Sequence, residues 1–485
     1  ARRSKWLLDN RRYDKMFHLR GLLLMCGLTV VFGEKFQPTW DSLDKRPLPT
    51  WYDDAKFGIF VHWGVFSVPS FHSEWFWNYW KGGDPAIAKF MADNYPPKFT
   101  YQDFAKDFTA EFFNPDQWAD IFESSGARYV VLTSKHHEGY CLWPSKYSYS
   151  WNSMDVGPKR DLLGELAAAV VKKKTLKFGL YHSLLEWYNP LFLKDVANNF
   201  TTQNFVNFKT MPELYELINT YHPEVLWSDG DWGADSQYWM SKTFLAWLYN
   251  ESPVKSTIVV NDRWGTDATC KHGDFFNCRD NYSPGVLVPH KWENCMPVDK
   301  HSWGFRRPMS LPDVNSIEEI LLGLVKTVSC GGNLLLNVGP TKEGTISPIF
   351  QERLSSVGKW LQVNGKGIYG SRPWVFQNDT ISGDIWYTKD PKTGFVYAFS
   401  IGYPADGIIK LGAPAKSASN ISVNVLGWPN PLKYNVTGGV LQVMLPPEHQ
   451  IQTSWAYTLE IMGLKDISNE ISVDPDTHFV NMNLK

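Results

Sequence analysis

The feature that most constrains this chain is a rhythm. Between residues 36 and 370, short apolar or β-branched runs alternate with longer stretches of helical period. The runs are 57–63 (FGIFVHW), 129–134 (YVVLTS), 178–182 (FGLYH), 225–227 (VLW), 257–261 (TIVVN) and 333–337 (NLLLN), with helical stretches at 158–174, 211–221 and 316–329. Continuously apolar strands are buried on both faces, and helix-length connections pair them in parallel. Roughly 330 residues in this rhythm favour a (β/α)8 barrel over an open sheet. No GxGxxG motif follows a strand, which argues against a dinucleotide-binding sheet. After about Trp374 the pattern changes to short alternating strands separated by Gly, Pro and Asn (DIWYTK, GFVYAFSI, GIIKLG, ISVNVLG, LQVML, WAYTLEIMG), which predicts an antiparallel β-sandwich. The expected division is 34–372 barrel, 373–465 sandwich and 466–485 a polar tail.

Residues 1–33 read as an upstream segment followed by a secretory signal. Met16 and Arg20 precede an apolar run from Gly21 to Phe32, and small Gly33 follows, so cleavage is expected after about Gly33. That run is too short to span a bilayer, which takes about 20 apolar residues. No later stretch is long and apolar enough, so no membrane association is expected after cleavage. Acceptor sequons at Asn199, Asn378, Asn420 and Asn435 agree with secretion, whereas those at Asn250 and Asn281 are followed by proline and are weaker. Beyond the signal the cysteines are Cys141, Cys270, Cys278, Cys295 and Cys330, an odd set that leaves at least one thiol unpaired within the chain. Cys270 and Cys278 close a short loop and are the expected disulfide.

Forty-eight basic residues against 50 acidic give a formal charge of -2, without the basic footprint of a nucleic-acid binder. Aromatic content is 15%, with 23 tryptophans, and indoles are preferred platforms for the apolar faces of sugar rings. In a barrel the chemistry lies at the C-terminal strand ends. Strand after strand ends in polar residues: His62-Trp63, with Glu74-Trp75 in the next loop; Lys135-His136-His137-Glu138; Tyr181-His182; Asp229 in VLWSDGDW; and Asp262-Arg263-Trp264. The segment HKWENC adds Glu293, and Trp303 follows. Each has a bland reading: a core histidine, a polar turn, or a Glu293 paired with Lys291, Arg306 or Arg307. His136 and His137 are adjacent, and neighbouring strand residues face opposite ways, so they make a poor chelating pair. No metal and no cofactor is expected. Carboxylates, histidines and tryptophans together point to glycoside hydrolysis, which uses two carboxyl groups.

The segments FGIFVHWGVFSVPSFHSEWFW, LTSKHHEGYCLWPS, GLYHSLLEW, VLWSDGDW, NDRWG, HKWENC and GGNLLLNVGPTKEGTI resemble the animal α-L-fucosidases, the lysosomal and secreted members of the retaining fucosidase family of glycoside hydrolases. The resemblance runs from about Phe36 to Leu464. It implies a catalytic barrel followed by a β-sandwich, and exo-acting release of terminal α-L-fucose from glycoproteins, glycolipids or oligosaccharides. It implies Asp229 as nucleophile, with His62, Glu74, Trp75, His136, His137, Tyr181 and Arg263 around the sugar and Trp303 against the fucose methyl group. The acid/base stays open between Asp280, in FFNCRDNY, and Glu293. Asp280, which sits where the resemblance places the family's acid/base, is favoured; the acid needs a raised pKa, for which Phe275, Phe276 and Tyr282 stand near Asp280 in the chain and Trp292 near Glu293. Fucosylated glycans are the implied partners, a homo-oligomer, often a tetramer, the implied assembly, and the lysosome or extracellular space the implied destination. A secreted fucose-binding recognition protein with little turnover is the alternative, against which a retained nucleophile argues.

Overall fold

The computed structural model describes residues 35–418 and 420–464; the signal and the polar tail from 466 lie outside the described residues. Seven parallel strands form one curled sheet. They are β1 (Phe57–Val61), β2 (Tyr129–Lys135), β3 (Lys177–Ser183), β4 (Val225–Asp229), β5 (Val259–Val260), β6 (Trp292–Pro297) and β7 (Gly332–Val338), in the order β5-β4-β3-β2-β1-β7-β6. The gap between β5 and β6 is closed by a short extended segment. Asp274 and Phe275 donate their N–H groups to the Val260 carbonyl, Phe276 donates to Lys291, and Glu293 donates back to Phe276. Phe276 and Trp292 pair in parallel. This segment serves as an eighth stave, and with it the sheet edges find hydrogen-bond partners.

Alternation along each strand sorts the side chains into two cores. Phe60, Tyr129, Val131, Tyr181, Val225, Trp227, Val259, Phe275, Cys295 and Leu335 fill the barrel interior. Phe57, Ile59, Val61, Val130, Leu132, Leu180, Leu226 and Leu336 face the surrounding helices. Gly58 sits where a Cβ would come within 2.5 Å of the Tyr129 ring, so its missing side chain makes room for that phenol inside the barrel. The helices start on recognisable caps. Asp161 accepts from the Gly164 N–H before Leu162–Lys172, and Ser316 forms a capping box with Glu319 before Ile317–Ser329.

The antiparallel strands are β8 (Arg372–Asn378), β9 (Ile385–Lys389), β10 (Val396–Ile401), β11 (Ile408–Leu411), β12 (Ser422–Val425), β13 (Lys433–Thr437), β14 (Val440–Met444) and β15 (Ala456–Met462). They form two sheets, β12-β15-β10-β9-β8 and β11-β14-β13. The larger sheet is buried on both sides. Val396, Ala398 and Leu459 face the sandwich core, whereas Tyr397, Phe399 and Trp386 join the core of the barrel region. Trp360, on the helix Pro348–Asn364, donates its indole N–H to the Ala456 carbonyl at 2.9 Å across this junction.

Three elements depart from the sequence expectation. HKWENC is a strand, β6, in the middle of the ring's closing side. β8 and β13 have mixed or exposed faces and so lack the apolar signal of their neighbours. Cys270 and Cys278 are disulfide-bonded, and Cys141, Cys295 and Cys330 are buried free thiols.

Candidate active site

A cavity of about 350 Å³ opens at the C-terminal ends of the barrel strands. Asp229, the last residue of β4, reaches it from the strand end. Alternation places Trp227, two residues earlier, on the same inward side. The next residue, Gly230, has φ +76°, and a Cβ there would meet Leu185, Ser183 and His137 within 3.3 Å. Glycine therefore lets the chain turn away while Asp229 stays aimed inward. Asp229 Oδ1 accepts from Arg263 Nη1 at 2.9 Å. Its Oδ2 accepts from the Tyr181 hydroxyl at 2.8 Å and lies 3.4 Å from His137 Nε2. Burial opposes the charge on Asp229, but Arg263 and His137 outweigh it and hold its carboxyl well below the ordinary range.

The same guanidinium holds a second carboxylate. Arg263 Nη2 donates to Asp280 Oδ1 at 2.6 Å, and the Arg263 head lies 4.7 Å over the Trp227 ring. One guanidinium thus bridges the two acids and sets them a single planar group apart. Asp229 is almost wholly buried, whereas the Asp280 side chain is 52% exposed at the rim. The loop that carries Asp280 is tied down by Asp262, which accepts from the N–H groups of Cys270, Asn277 and Cys278. The Cys270–Cys278 disulfide closes the same loop. Asp231, the second acid of SDGD, accepts from the Gly265 N–H and the Thr269 hydroxyl and braces the turn after Arg263.

Glu293 lies elsewhere. It is fully buried in the barrel, does not line the cavity, and accepts from the hydroxyls of Tyr52 (2.7 Å) and Tyr129 (2.6 Å) and the indole N–H of Trp227 (3.0 Å). The cations expected to pair with it are engaged otherwise: Lys291 with Asp53, Arg306 with Asp299, and Arg307 with Ser70 and the Val68 carbonyl. The pairing of Glu293 with a cation is thereby corrected. Its inward parity on β6 carries it toward the aromatic layer beneath the cavity.

The remaining sequence candidates, His62, Glu74, Trp75, His136, His137, Tyr181 and Trp303, all line the one cavity. His62 Nδ1 lies 2.7 Å from Asn337 Oδ1, while the Asn337 amide donates to the Trp303 carbonyl. The histidine must therefore donate through Nδ1, which leaves Nε2 as an acceptor. Burial, reinforced by His136, pushes His62 down to about 3, so its ring is neutral. Burial and the same neighbour lower His137 to about 4. Glu74 Oε2 accepts from the Ser302 hydroxyl and from the N–H groups of Trp303 and Gly304, bracing the segment that carries the Trp303 indole.

The expectation that His136 and His137 face opposite ways is corrected. β2 ends at Lys135 with a register shift after Thr133, and both histidines lie in the turn beyond it. Strand alternation no longer applies there, and the two rings stand 4.2 Å apart in the same cavity. Among the described residues, the only cluster tight enough for a metal is Asp262, Cys270 and Cys278, whose sulfurs are already joined.

The sequence reading did not single out Phe60, Trp227, Trp232 and Cys295, which also line the cavity. Trp227 carried a signal, because it shares the parity of Asp229. Cys295, in a segment not read as a strand, carried none. Chemically, the site pairs one ionised, buried carboxylate with a more exposed one, inside a ring of histidines, Tyr181, Glu74 and indoles. That is the equipment of glycoside cleavage.

Comparison with known proteins gives the same direction. The family model described as alpha-L-fucosidase matches residues 27–366, and the alpha-L-fucosidase C-terminal domain matches 377–462. An alpha-L-fucosidase of Branchiostoma floridae is 56% identical over 91% of this chain and 99% of its own. Human plasma alpha-L-fucosidase is 56% identical over 89% and 93%, and human tissue alpha-L-fucosidase 52% identical over 89% and 92%. A Thermotoga maritima alpha-fucosidase solved with fucose superposes with a TM-score of 0.76 at 33% identity, covering 88% of this chain and 100% of that one.

Proposed function

This chain belongs to the α-L-fucosidase family of glycoside hydrolases, and from that premise we propose that it releases terminal α-L-fucose with Asp229 as nucleophile and Asp280 as acid/base. The observation that carries the assignment is the Arg263 bridge. It binds Oδ1 of both acids at the cavity, while Tyr181 and His137 orient Oδ2 of Asp229. Asp229, kept ionised, attacks the anomeric carbon while Asp280 passes a proton to the glycosidic oxygen. Water, deprotonated by Asp280, then releases the fucosyl group from Asp229. Two inversions give net retention. His62 Nε2, Glu74, His136 and His137 receive the hydroxyls, and Trp303 and Trp75 wall the ring, with Trp303 against the methyl group. Glu293 has no part in proton transfer on this reading, because its oxygens are occupied beneath the cavity.

Fucosylated glycans are the partners on this reading, and a homo-oligomer, often a tetramer in the family, is the assembly. The same reading divides the chain into a signal-bearing segment 1–33, a catalytic region 34–372, a sandwich 373–465 and a tail 466–485. Delivery through the secretory pathway to the lysosome or the extracellular space is supported by relatives named plasma and tissue fucosidases. No helix among the described residues is long and apolar enough to cross a membrane.

The test is azide rescue with product stereochemistry. Asp229→Gly should lose nearly all turnover, and azide should restore some of it, giving the inverted fucosyl azide. In Asp280→Ala the first step on an aryl fucoside with a good leaving group should survive better than that on a disaccharide, and azide attacking the fucosyl-enzyme should yield the retained azide. If Glu293→Ala shows that pattern and Asp280→Ala does not, the two acids exchange roles.

A further inference from the structure

We propose that a second cavity beyond Asp280 holds the sugar to which fucose is attached, a neutral pyranose stacked on Trp232 and hydrogen-bonded by Arg279. This rests on Asp280 as the proton donor. The cavity, about 410 Å³, shares Trp232, Arg263 and Asp280 with the fucose cavity and continues over Thr266, Thr269 and Arg279. A proton donor must reach the oxygen between the two sugars, so one sugar lies on each side of it. Asp280 borders both cavities, and this selects the direction in which the glycan leaves. Lys300 and His301 also line the fucose cavity but do not reach the second one.

The lining has the chemistry for a sugar. Trp232 is 48% exposed, unlike the wholly buried indoles of Trp227 and Trp264, and it stacks on Trp75 with centroids 6.1 Å apart at 23°. Exposed indole surface is costly in water and suits the C–H face of a pyranose. Arg279 is exposed, immediately after the Cys270–Cys278 disulfide, and its guanidinium makes no hydrogen bond or ion pair among the described residues. Its planar fork is therefore free to donate to two sugar oxygens at once. Because Asp262 and the disulfide hold Arg279 and Asp280 on one braced loop, recognition of the leaving sugar and proton delivery to it are built on the same element.

The test compares two substrates on the same variants. α-L-Fucosyl fluoride carries nothing beyond the departing fluoride, whereas a fucosylated disaccharide fills both cavities. In Arg279→Ala and the bulkier-preserving Arg279→Gln, kcat/KM for the disaccharide should fall at least tenfold while fluoride turnover, which also reports folding, stays within about threefold. Lys300→Ala should leave the ratio of the two substrates unaltered. A disaccharide rate unaffected by either Arg279 variant, equal losses on both substrates, or a selective disaccharide loss in Lys300→Ala would overturn the proposal. Failure of the Asp280 assignment is distinguishable, because it appears as Asp280→Ala without a selective fall in disaccharide kcat/KM relative to the fluoride, whatever the Arg279 variants do.

Discussion

At single residues, the site works by fixing protonation states through neighbours. His62 is the clearest case, with Nδ1 committed to Asn337 and burial lowering its pKa to about 3. An unfolded histidine titrates near 6.5, so below that pH the unfolded chain takes up a proton the folded ring refuses. The stability this ring contributes is therefore present above about pH 6.5 and is lost as the pH falls toward 3. Between pH 6.5 and 4.5, His62→Gln should lose about 2 kcal/mol less unfolding free energy than the wild type. Urea unfolding at the two pH values checks this, and identical slopes would refute the neutral ring. Glu293 answers to a different test. Glu293→Ala strands two phenols and an indole N–H in the barrel, at a cost of about 3 kcal/mol or more. The variant should unfold at lower urea while keeping the wild-type preference between aryl and sugar leaving groups.

The decisive element is the loop from Asp262 to Asp280. It supplies the eighth stave through Phe275 and Phe276, then returns Asp280 to Arg263. Asp262→Ala removes the carboxylate that gathers three backbone N–H groups. On the proposed assignment, a slackened loop leaves Asp280 delivering its proton less well. The expected result is at least a tenfold loss of kcat/KM on a disaccharide and a much smaller one on an aryl fucoside with a good leaving group. Parallel kinetics on the two substrates decide it; equal losses would mean that Asp262 supports the fold alone.

Across the whole molecule, the barrel region and the sandwich share a core through Trp360, Tyr397 and Phe399. A shared buried junction couples their unfolding. Calorimetry should show one transition, and Trp360→Ala should lower it as a unit, with a loss of about 3–5 kcal/mol. Two separated transitions in the wild type would show the junction to be weak. Surface chemistry divides as well. Asn199, Asn420 and Asn435 are exposed, but the Asn378 amide donates to both the Gly383 and Ile385 carbonyls. Glycopeptide mass spectrometry of the protein expressed through a secretory pathway should find glycans on the first three and none on Asn378.

Local pattern carried much of this molecule. The strand-and-helix rhythm was legible because a strand buried on both faces carries a central apolar run, and β1, β2, β3, β4 and β7 all do. Asp229, Arg263 and the strand-end histidines were legible because barrel chemistry gathers at one rim. β6 was not, since Glu293 and Asn294 break its apolar run, and the Phe275–Phe276 stave is too short to have a period. Nor does spacing along the chain say how far apart two side chains lie. Asp280 and Glu293 are thirteen positions apart and looked interchangeable. Only the folded ring separates them, because β6 turns Glu293 inward among phenols while the braced loop carries Asp280 back over the rim to Arg263.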